Sequence, residues 1–168
     1  GIAREFAARG ISTLMVDHPG VGAALRLQGL AMNPDSERWA RAALDWLQQR
    51  ADIDSRRVGV IAMSLGGYYA PRAAAFEQRL ACCVAWGARW DNDGSHGNML
   101  RDPAASRSVT GWIDHALWYY GAADVAEAAA KIAQMKLDAA FIDVEEPKLG
   151  AATVRRTRHG PPRLLERH

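Results

Sequence analysis

Residues 57–91 constrain the fold more than any other part of the sequence. VGVIAM (58–63) is a short apolar run typical of a buried strand, and a helical pattern follows it over residues 66–77. LACCVAW (80–86) then predicts a second strand. A strand, a helix and a strand at these lengths indicate a βαβ crossover, so both strands should run parallel and end at the same edge of a sheet.

The first fifty residues extend this alternation. GIAREFAARG (1–10) has the pattern of the end of an amphipathic helix, ISTLMVD (11–17) that of a buried strand, and residues 34–49 that of a helix. We therefore predict an α/β fold, a three-layer sandwich with a mainly parallel sheet and helices on both faces. In such folds ligands bind beyond the carboxyl ends of the strands.

The alternation stops after Asp91. DNDGSHGN (91–98) predicts a loop, and residues 111–138 predict two helices with no strand between them. A helical block beside a parallel sheet usually covers the ligand crevice as a lid, and the alternative is extra packing for the core.

These changes predict three regions, a partial core (1–91), a helical cap (92–138) and a divergent tail (139–168). The tail lacks core periodicity, so we expect it to be disordered or to be frameshifted coding sequence. Three lysines against eighteen arginines indicate a GC-rich gene, and out-of-frame reading of such DNA yields Arg, Pro, Ala and Gly.

The distribution of charge excludes a nucleic-acid-binding body. The net charge is +2, but residues 151–168 hold five arginines and one glutamate, which leaves −2 for residues 1–150. A nucleic-acid-binding surface requires a basic patch that this part of the chain does not supply.

Composition also argues against a membrane span, a metal site and a nucleotide site. No apolar run approaches the ~18 residues that a span needs. We expect no signal peptide. Neither metal-binding Cys/His spacing nor a phosphate-binding glycine motif is present, so we also expect no cofactor. Cys82 and Cys83 are adjacent, where a mutual disulfide would be strained, and we expect two buried thiols in a cytoplasmic protein.

Ser64 stands where the predicted strand must turn sharply into the predicted helix. Such a turn requires small residues two positions before and after the serine, and Ala62 and Gly66 occupy them. The turn would expose the serine hydroxyl and aim the N–H of Leu65 at a developing oxyanion. A small polar residue that caps a helix after a strand is the simpler explanation of the same pattern.

Three segments together resemble the α/β-hydrolase superfamily, namely LMVDHPGVGAALR (14–26), the whole of 57–91, and HALWYYG (115–121). They are most similar to the branch that contains 2,6-dihydroxypseudooxynicotine hydrolase and fermentation–respiration switch-type esterases. The resemblance implies that Ser64 is the nucleophile, that Leu65 supplies one oxyanion N–H, and that no metal or organic cofactor is used.

The C-terminal part of the sequence lacks the motifs of that family. The resemblance implies an acid after the strand that follows the cap, and a histidine further on, yet no matching motif follows residue 138. It also implies that the first strands would precede Gly1, so the chain resembles a central fragment. Asp91 is the candidate that could substitute as the triad acid, with a pocket or solvated role as the alternatives.

No histidine stands out as the base. His18 follows the strand before the serine strand and could line the crevice, whereas His96 and His115 are better explained as structural residues. His159 could serve only if the tail folds back over Ser64.

Aromatic residues supply the candidate substrate contacts. We select Tyr68, Trp86 and Trp90, together with His18, as substrate-binding candidates. Four cap aromatics could form a roof over an aromatic or acyl substrate, or could pack the cap on the core: Trp112, Trp118, Tyr119 and Tyr120.

The sequence thus predicts a serine hydrolase that cleaves an ester, a thioester or a C–C bond beside a carbonyl through an acyl-enzyme, impaired in this chain. The alternative is a non-catalytic remnant or binding module without a complete triad. We expect a small-molecule substrate, no nucleic acid and no membrane. Exposed sheet edges would also favour a homo-oligomer.

Overall fold

The computed structural model describes residues 1–87, 89–106, 110–137, 151–155 and 163–166. The helices are α1 (Ile2–Ala8), α2 (Gly22–Arg26), α3 (Ser36–Gln48), α4 (Gly66–Phe76), α5 (Asn98–Arg101), α6 (Trp112–Tyr120) and α7 (Val125–Ala133). The strands are β1 (Gly59–Met63), β2 (Cys82–Trp86), β3 (Ala151–Arg155) and β4 (Arg163–Glu166). Short helical turns of other types occupy Ser55–Arg57, Asp93–Gly97 and Pro103–Ala105.

The four strands form one sheet in the order β1-β2-β3-β4. β1 and β2 are parallel, with Gly59 opposite Cys82 and Met63 opposite Trp86. The other two pairs are antiparallel. The predicted α/β class and the βαβ unit of residues 57–91 are therefore confirmed. β3 and β4 fall in the tail, where the sequence pattern predicted no element, and most of the disorder-or-frameshift prediction lies outside the described residues.

The predicted strand at residues 11–17 is wrong. Residues 11–17 form no regular element and pair with no strand of the described chain, and their apolar side chains are exposed, up to 73% for Met15. An extended segment becomes a strand only when a neighbour satisfies its backbone N–H and C=O groups. β1 is an edge strand of the sheet, yet residues 11–17 do not pair with that edge.

Only one face of the parallel pair is well covered by the described helices. α4 packs against both β1 and β2, and α3 packs against α4. On the opposite face Ile61, Met63 and Trp86 are 39%, 57% and 53% exposed. The expectation that helices cover both faces is therefore not met within the described residues.

The same asymmetry corrects the prediction of two buried thiols. Successive residues of a strand point to opposite faces. Cys83 is fully buried beneath α4, whereas Cys82 is exposed on the open face.

The two helices predicted for residues 111–138 are present as α6 and α7, called the cap helices below, and they pack on the core. The division into core, cap and tail stays a prediction. Ala116, Tyr120 and Ile132 belong to the same buried cluster as Tyr68 and Tyr69 of α4. Aromatic side chains bury large apolar areas, so this contact supplies much of the packing energy between the cap helices and α4. In the parts of the chain that the structure describes, no helix is long and apolar enough to cross a bilayer.

Arg72 ties the start of α3 to α4. Its guanidinium donates to Glu37 (Nε to Oε2, 2.9 Å) and to Asp35 (Nη2 to Oδ1, 2.9 Å). Only 14% of the Arg72 side chain is exposed, so both carboxylates interact with it in a partly desolvated setting. The hydroxyl of Ser36 strengthens the same junction by donating to the Tyr69 carbonyl at 2.8 Å.

Replacing Arg72 with Met should lower the free energy of unfolding by about 2 kcal/mol, because two partly buried carboxylates would lose their counter-ion. Arg9→Met is the matched control, because the Arg9–Glu5 pair is 64% and 71% exposed. Exposed pairs contribute less than about 1 kcal/mol. Urea denaturation measures the free energy of unfolding of both variants. Equal losses would show that the ion pairs of Arg72 do not stabilise the contact between α3 and α4.

Candidate active site

Ser64 lies at a strained bend between β1 and α4. Its φ is 56°, and among the described residues it is the one non-glycine residue with positive φ. L-residues rarely adopt this region, because it costs energy that the surrounding structure must offset. The Ser64 N–H donates to the Trp86 carbonyl at 2.9 Å, which fixes the bend to the end of β2, and the serine is exposed.

The small residues around Ser64 are required by this bend. A Cβ placed on Gly66 would lie 2.5 Å from the Cβ of Ala62, closer than two carbons can approach. The methyl group of Ala62 therefore fits only because position 66 has no side chain. This contact is the physical reason for the predicted small–x–Ser–x–Gly pattern.

The first turn of α4 begins directly at the bend. The N–H of Gly67 donates to the Ser64 carbonyl at 2.8 Å, and that of Tyr68 donates to the Leu65 carbonyl at 3.0 Å. The N–H of Leu65 comes before these turn-closing bonds, at the positive end of the helix dipole. Its role as an oxyanion donor stays a prediction.

Asp91 makes contacts that explain it without catalysis. Its Oδ1 accepts from the N–H of Asp93 at 2.9 Å, and its Oδ2 lies 3.5 Å from Nζ of Lys136. Asp91 also forms an isolated antiparallel bridge with Lys136. Both contacts stabilise the loop after β2, and the role of triad acid stays a prediction.

The structure does not bring His18 to Ser64. Its ring stacks on Trp39 at 4.4 Å between centroids, and its Nδ1 lies 2.8 Å from the Pro19 carbonyl. It lines a groove of about 390 Å³ between residues 14–19 and α3, away from the bend. Burial lowers the pKa of His18, so the ring favours its neutral form.

His96 and His115 lie in the interface between cap and core. Nδ1 of His96 is 2.6 Å from the Tyr120 hydroxyl, and its ring meets Trp112 edge-on at 4.9 Å. The His115 ring stacks on Tyr119 at 5.9 Å. Within the described ranges, no hydrogen bond joins either ring, or that of His18, to Ser64, while His159 lies outside those ranges.

The three aromatic candidates occupy different environments. Trp86 is 53% exposed beside the bend, and Trp90 is half-buried against the core. Tyr68 is fully buried, and its hydroxyl donates to the Pro34 carbonyl at 3.2 Å. This burial argues against direct contact of Tyr68 with a substrate, because the ring is enclosed by core residues.

Sequence reasoning missed Arg89, which lies near this bend. Its N–H is 3.5 Å from the Gly67 carbonyl, and its Nη1 donates to Oγ of Ser95 at 2.6 Å. The sequence feature that could have indicated Arg89 is its position three residues beyond the end of β2. In the described part of the chain, no three His, Cys, Asp or Glu side chains converge as metal ligands would.

Comparisons with known proteins identify the family and the fold. A sequence profile of the Alpha/beta hydrolase family matches residues 2–165. The 2,6-dihydropseudooxynicotine hydrolase of Paenarthrobacter nicotinovorans is 39% identical over 85 residues, which cover 51% of this chain and 23% of that protein. Hydrolyase poxO of Penicillium oxalicum is 32% identical over 141 residues, or 67% of this chain and 33% of that protein.

A solved structure shows the same fold. The crystal structure of the 2,6-dihydroxy-pseudo-oxynicotine hydrolase matches with a TM-score of 0.59 at 21% identity, over 80% of this chain and 38% of its own. The chain thus spans between 23% and 33% of the length of the two curated relatives above. The predicted resemblance to this branch is confirmed.

Gly66→Ala should destabilise the chain by about 1–3 kcal/mol, because the new methyl group would collide with Ala62. Helix propensity alone predicts the opposite sign, since Ala is favoured over Gly. The double variant Ala62→Gly/Gly66→Ala removes the collision and should recover most of the loss. Thermal unfolding measures all three proteins, and a stabilised single variant would disprove the tight bend.

Acid should weaken the native state through His96. Burial of the ring, and then the nearby charge of Arg89, lowers its pKa from 6.5 to about 4. The unfolded chain therefore binds a proton that the native chain rejects, and stability should fall as the pH drops from about 6.5 to 4.

His96→Asn keeps a polar atom near the Tyr120 hydroxyl but does not titrate. Its free energy of unfolding should depend less on pH between 7 and 4 than that of the wild type, by on the order of 2 kcal/mol. Chemical denaturation at several pH values measures the difference. Parallel curves for the two proteins would show that His96 does not contribute.

Proposed function

The chain belongs to the alpha/beta hydrolase family, and we propose that within this family it acts through Ser64 as a serine hydrolase. The observation that carries the proposal is the positive φ of Ser64, 56°, at an exposed strand-to-helix bend. A strained non-glycine residue persists only where its surroundings enforce it, and such residues cluster at functional sites.

In the proposed reaction, Oγ of Ser64 attacks the carbonyl carbon of an ester, a thioester or a ketone whose C–C bond is cleaved. The oxygen of the tetrahedral intermediate takes the negative charge, and the N–H of Leu65 donates to it. The intermediate collapses to an acyl-enzyme as the leaving group departs with a proton, and water then releases the acid. The serine proton requires a base.

The surroundings of Ser64 support an aromatic or acyl substrate. Trp86 offers an exposed indole next to the bend, and Trp90 follows it in the loop after β2. The relative named as a 2,6-dihydropseudooxynicotine hydrolase supports a hydrolytic reaction for this chain as well.

A second candidate function is a binding module that keeps the bend without turnover. Two observations favour it. Asp91 is engaged by Asp93 and Lys136, and the described histidines contact aromatic rings or backbone rather than Ser64. Such a protein would bind the carbonyl compound without forming an acyl-enzyme.

The setting we propose is the cytoplasm. Cys82 and Cys83 are both free thiols, which supports a reducing compartment. The exposed apolar face that includes Ile61 and Met63 supports association with a second copy.

A fluorophosphonate probe tests the nucleophile, since it labels serines that are activated in an oxyanion site. The wild-type chain should incorporate one probe, and Ser64→Ala should incorporate none. Ser12→Ala is the matched control, because Ser12 is exposed and lies outside the helices and strands, so the substitution should leave labelling intact. Mass spectrometry of the intact chain measures the adduct.

A burst of nitrophenolate from p-nitrophenyl acetate would add evidence for the acyl-enzyme. A folded wild-type chain that neither labels nor gives a burst would disprove the hydrolase proposal and leave the binding module. Circular dichroism establishes that the chain is folded in that case.

A further inference from the structure

Arg89 lies in the loop after β2, between the first turn of α4 and the turn at Asp93–Gly97. Its backbone N–H approaches the Gly67 carbonyl in the first turn of α4, at 3.5 Å. Its guanidinium reaches Ser95, where Nη1 donates to Oγ at 2.6 Å. Its charge also acts on His96 and Tyr120, two partners in the cap interface.

The acidic residues around Arg89 already have other cations. Asp93 pairs with Arg101 at 3.2 Å, and Asp91 pairs with Lys136 at 3.5 Å. No ion pair to Arg89 occurs within the described ranges. The hydroxyl of Ser95 is neutral and occupies one of the five N–H donors of the guanidinium.

Two other partly buried arginines, by contrast, are paired with carboxylates. Arg72 pairs with Glu37 and Asp35, and Arg79 pairs with Glu77 and Asp45. A guanidinium that is withdrawn from water without a counter-ion is destabilising, so folded proteins normally pair it. Arg89 is partly buried as they are, yet its described side-chain partner is a neutral hydroxyl.

We propose that Arg89 binds a carboxylate of the substrate and so determines specificity for carbonyl substrates that carry a negative charge. This rests on the proposed function of Ser64. A guanidinium is planar and forms two parallel hydrogen bonds to a carboxylate. Ser95 accepts from Nη1 and holds the group, so the remaining donors stay available.

The ligand chemistry favoured here is a monoanion. One guanidinium balances one carboxylate, whereas phosphate sites combine several cations or backbone donors. Among the described residues near Arg89, the other cations, Arg101 and Lys136, are paired with Asp93 and Asp91.

Benzoate and benzamide test the assignment, because they share shape and differ in charge. Isothermal titration into the full 168-residue chain should give roughly tenfold tighter binding of benzoate, as expected of a charge-assisted bidentate bond. Arg89→Gln should remove that preference, and Arg89→Lys should retain part of it. Equal affinity for both compounds, or no binding of either, would overturn the proposal.

Arg101→Gln is the matched control, because Arg101 is a nearby arginine that is 57% exposed and paired. It should keep the preference for benzoate, with a change of less than about twofold. If Arg89→Gln fails to fold, Ser95→Ala replaces it, and the preference should then fall because the guanidinium loses its anchor. A full preference in Ser95→Ala, or its loss in Arg101→Gln, would contradict the assignment.

Acylation separates this inference from the proposed function. The ratio of acylation rate constants for p-nitrophenyl hemiglutarate and p-nitrophenyl acetate should fall about tenfold in Arg89→Gln. If neither ester acylates the wild type while benzoate is still preferred over benzamide, the proposal for Ser64 is disproved and the proposal for Arg89 is supported. If acylation occurs with an unchanged ratio, the proposal for Ser64 is supported and the proposal for Arg89 is disproved.

Discussion

The close contact between the backbone at Ser64 and the carbonyl of Trp86 organises the rest of the structure. This hydrogen bond holds the end of β1 against the end of β2 while the chain reverses into α4. It places the serine at the rim of the sheet and the first turn of α4 behind it. The missing side chain at position 66 makes the reversal possible, since Ala62 already fills the space. The fold and the proposed chemistry therefore depend on the same few atoms.

A second layer of contacts joins the cap to this bend. Aromatic rings of α4, of α6 and of the Asp93–Gly97 turn meet where the cap helices pack on the core. The hydroxyls of Tyr69 and Tyr119 lie 3.3 Å apart across this interface. His96 and Tyr120 form the polar centre of the interface, and burial keeps both neutral over the physiological range. Arg89 is the charged group beside this otherwise neutral centre. Its lack of a counter-ion within the described residues therefore supports the proposed carboxylate site. These contacts thus contribute both to stability and to the electrostatic environment of Arg89.

The sequence predicted local structure well where the local pattern decides it. The strand before Ser64, the helix after it and the two cap helices are all present, because apolar periodicity and the flanking turn residues agree in these segments. The strand at residues 11–17 was predicted from the same kind of pattern and is wrong, because strand formation depends on a partner that sequence does not reveal. The bend could be predicted because its steric requirement lies within five residues. The partners of Asp91, His96 and Arg89 could not, since they come from Lys136, Tyr120 and Ser95, which meet them only in the folded chain.

The two adjacent cysteines give the fold a chemical asymmetry. Burial raises the pKa of Cys83 to about 12, so this thiol has almost no thiolate at neutral pH, while Cys82 stands exposed on the open face of the sheet. Neighbours in sequence should therefore alkylate at very different rates. The fast reaction at Cys82 reports whether anything covers the open face, and the slow reaction at Cys83 reports how often the interior beneath α4 opens.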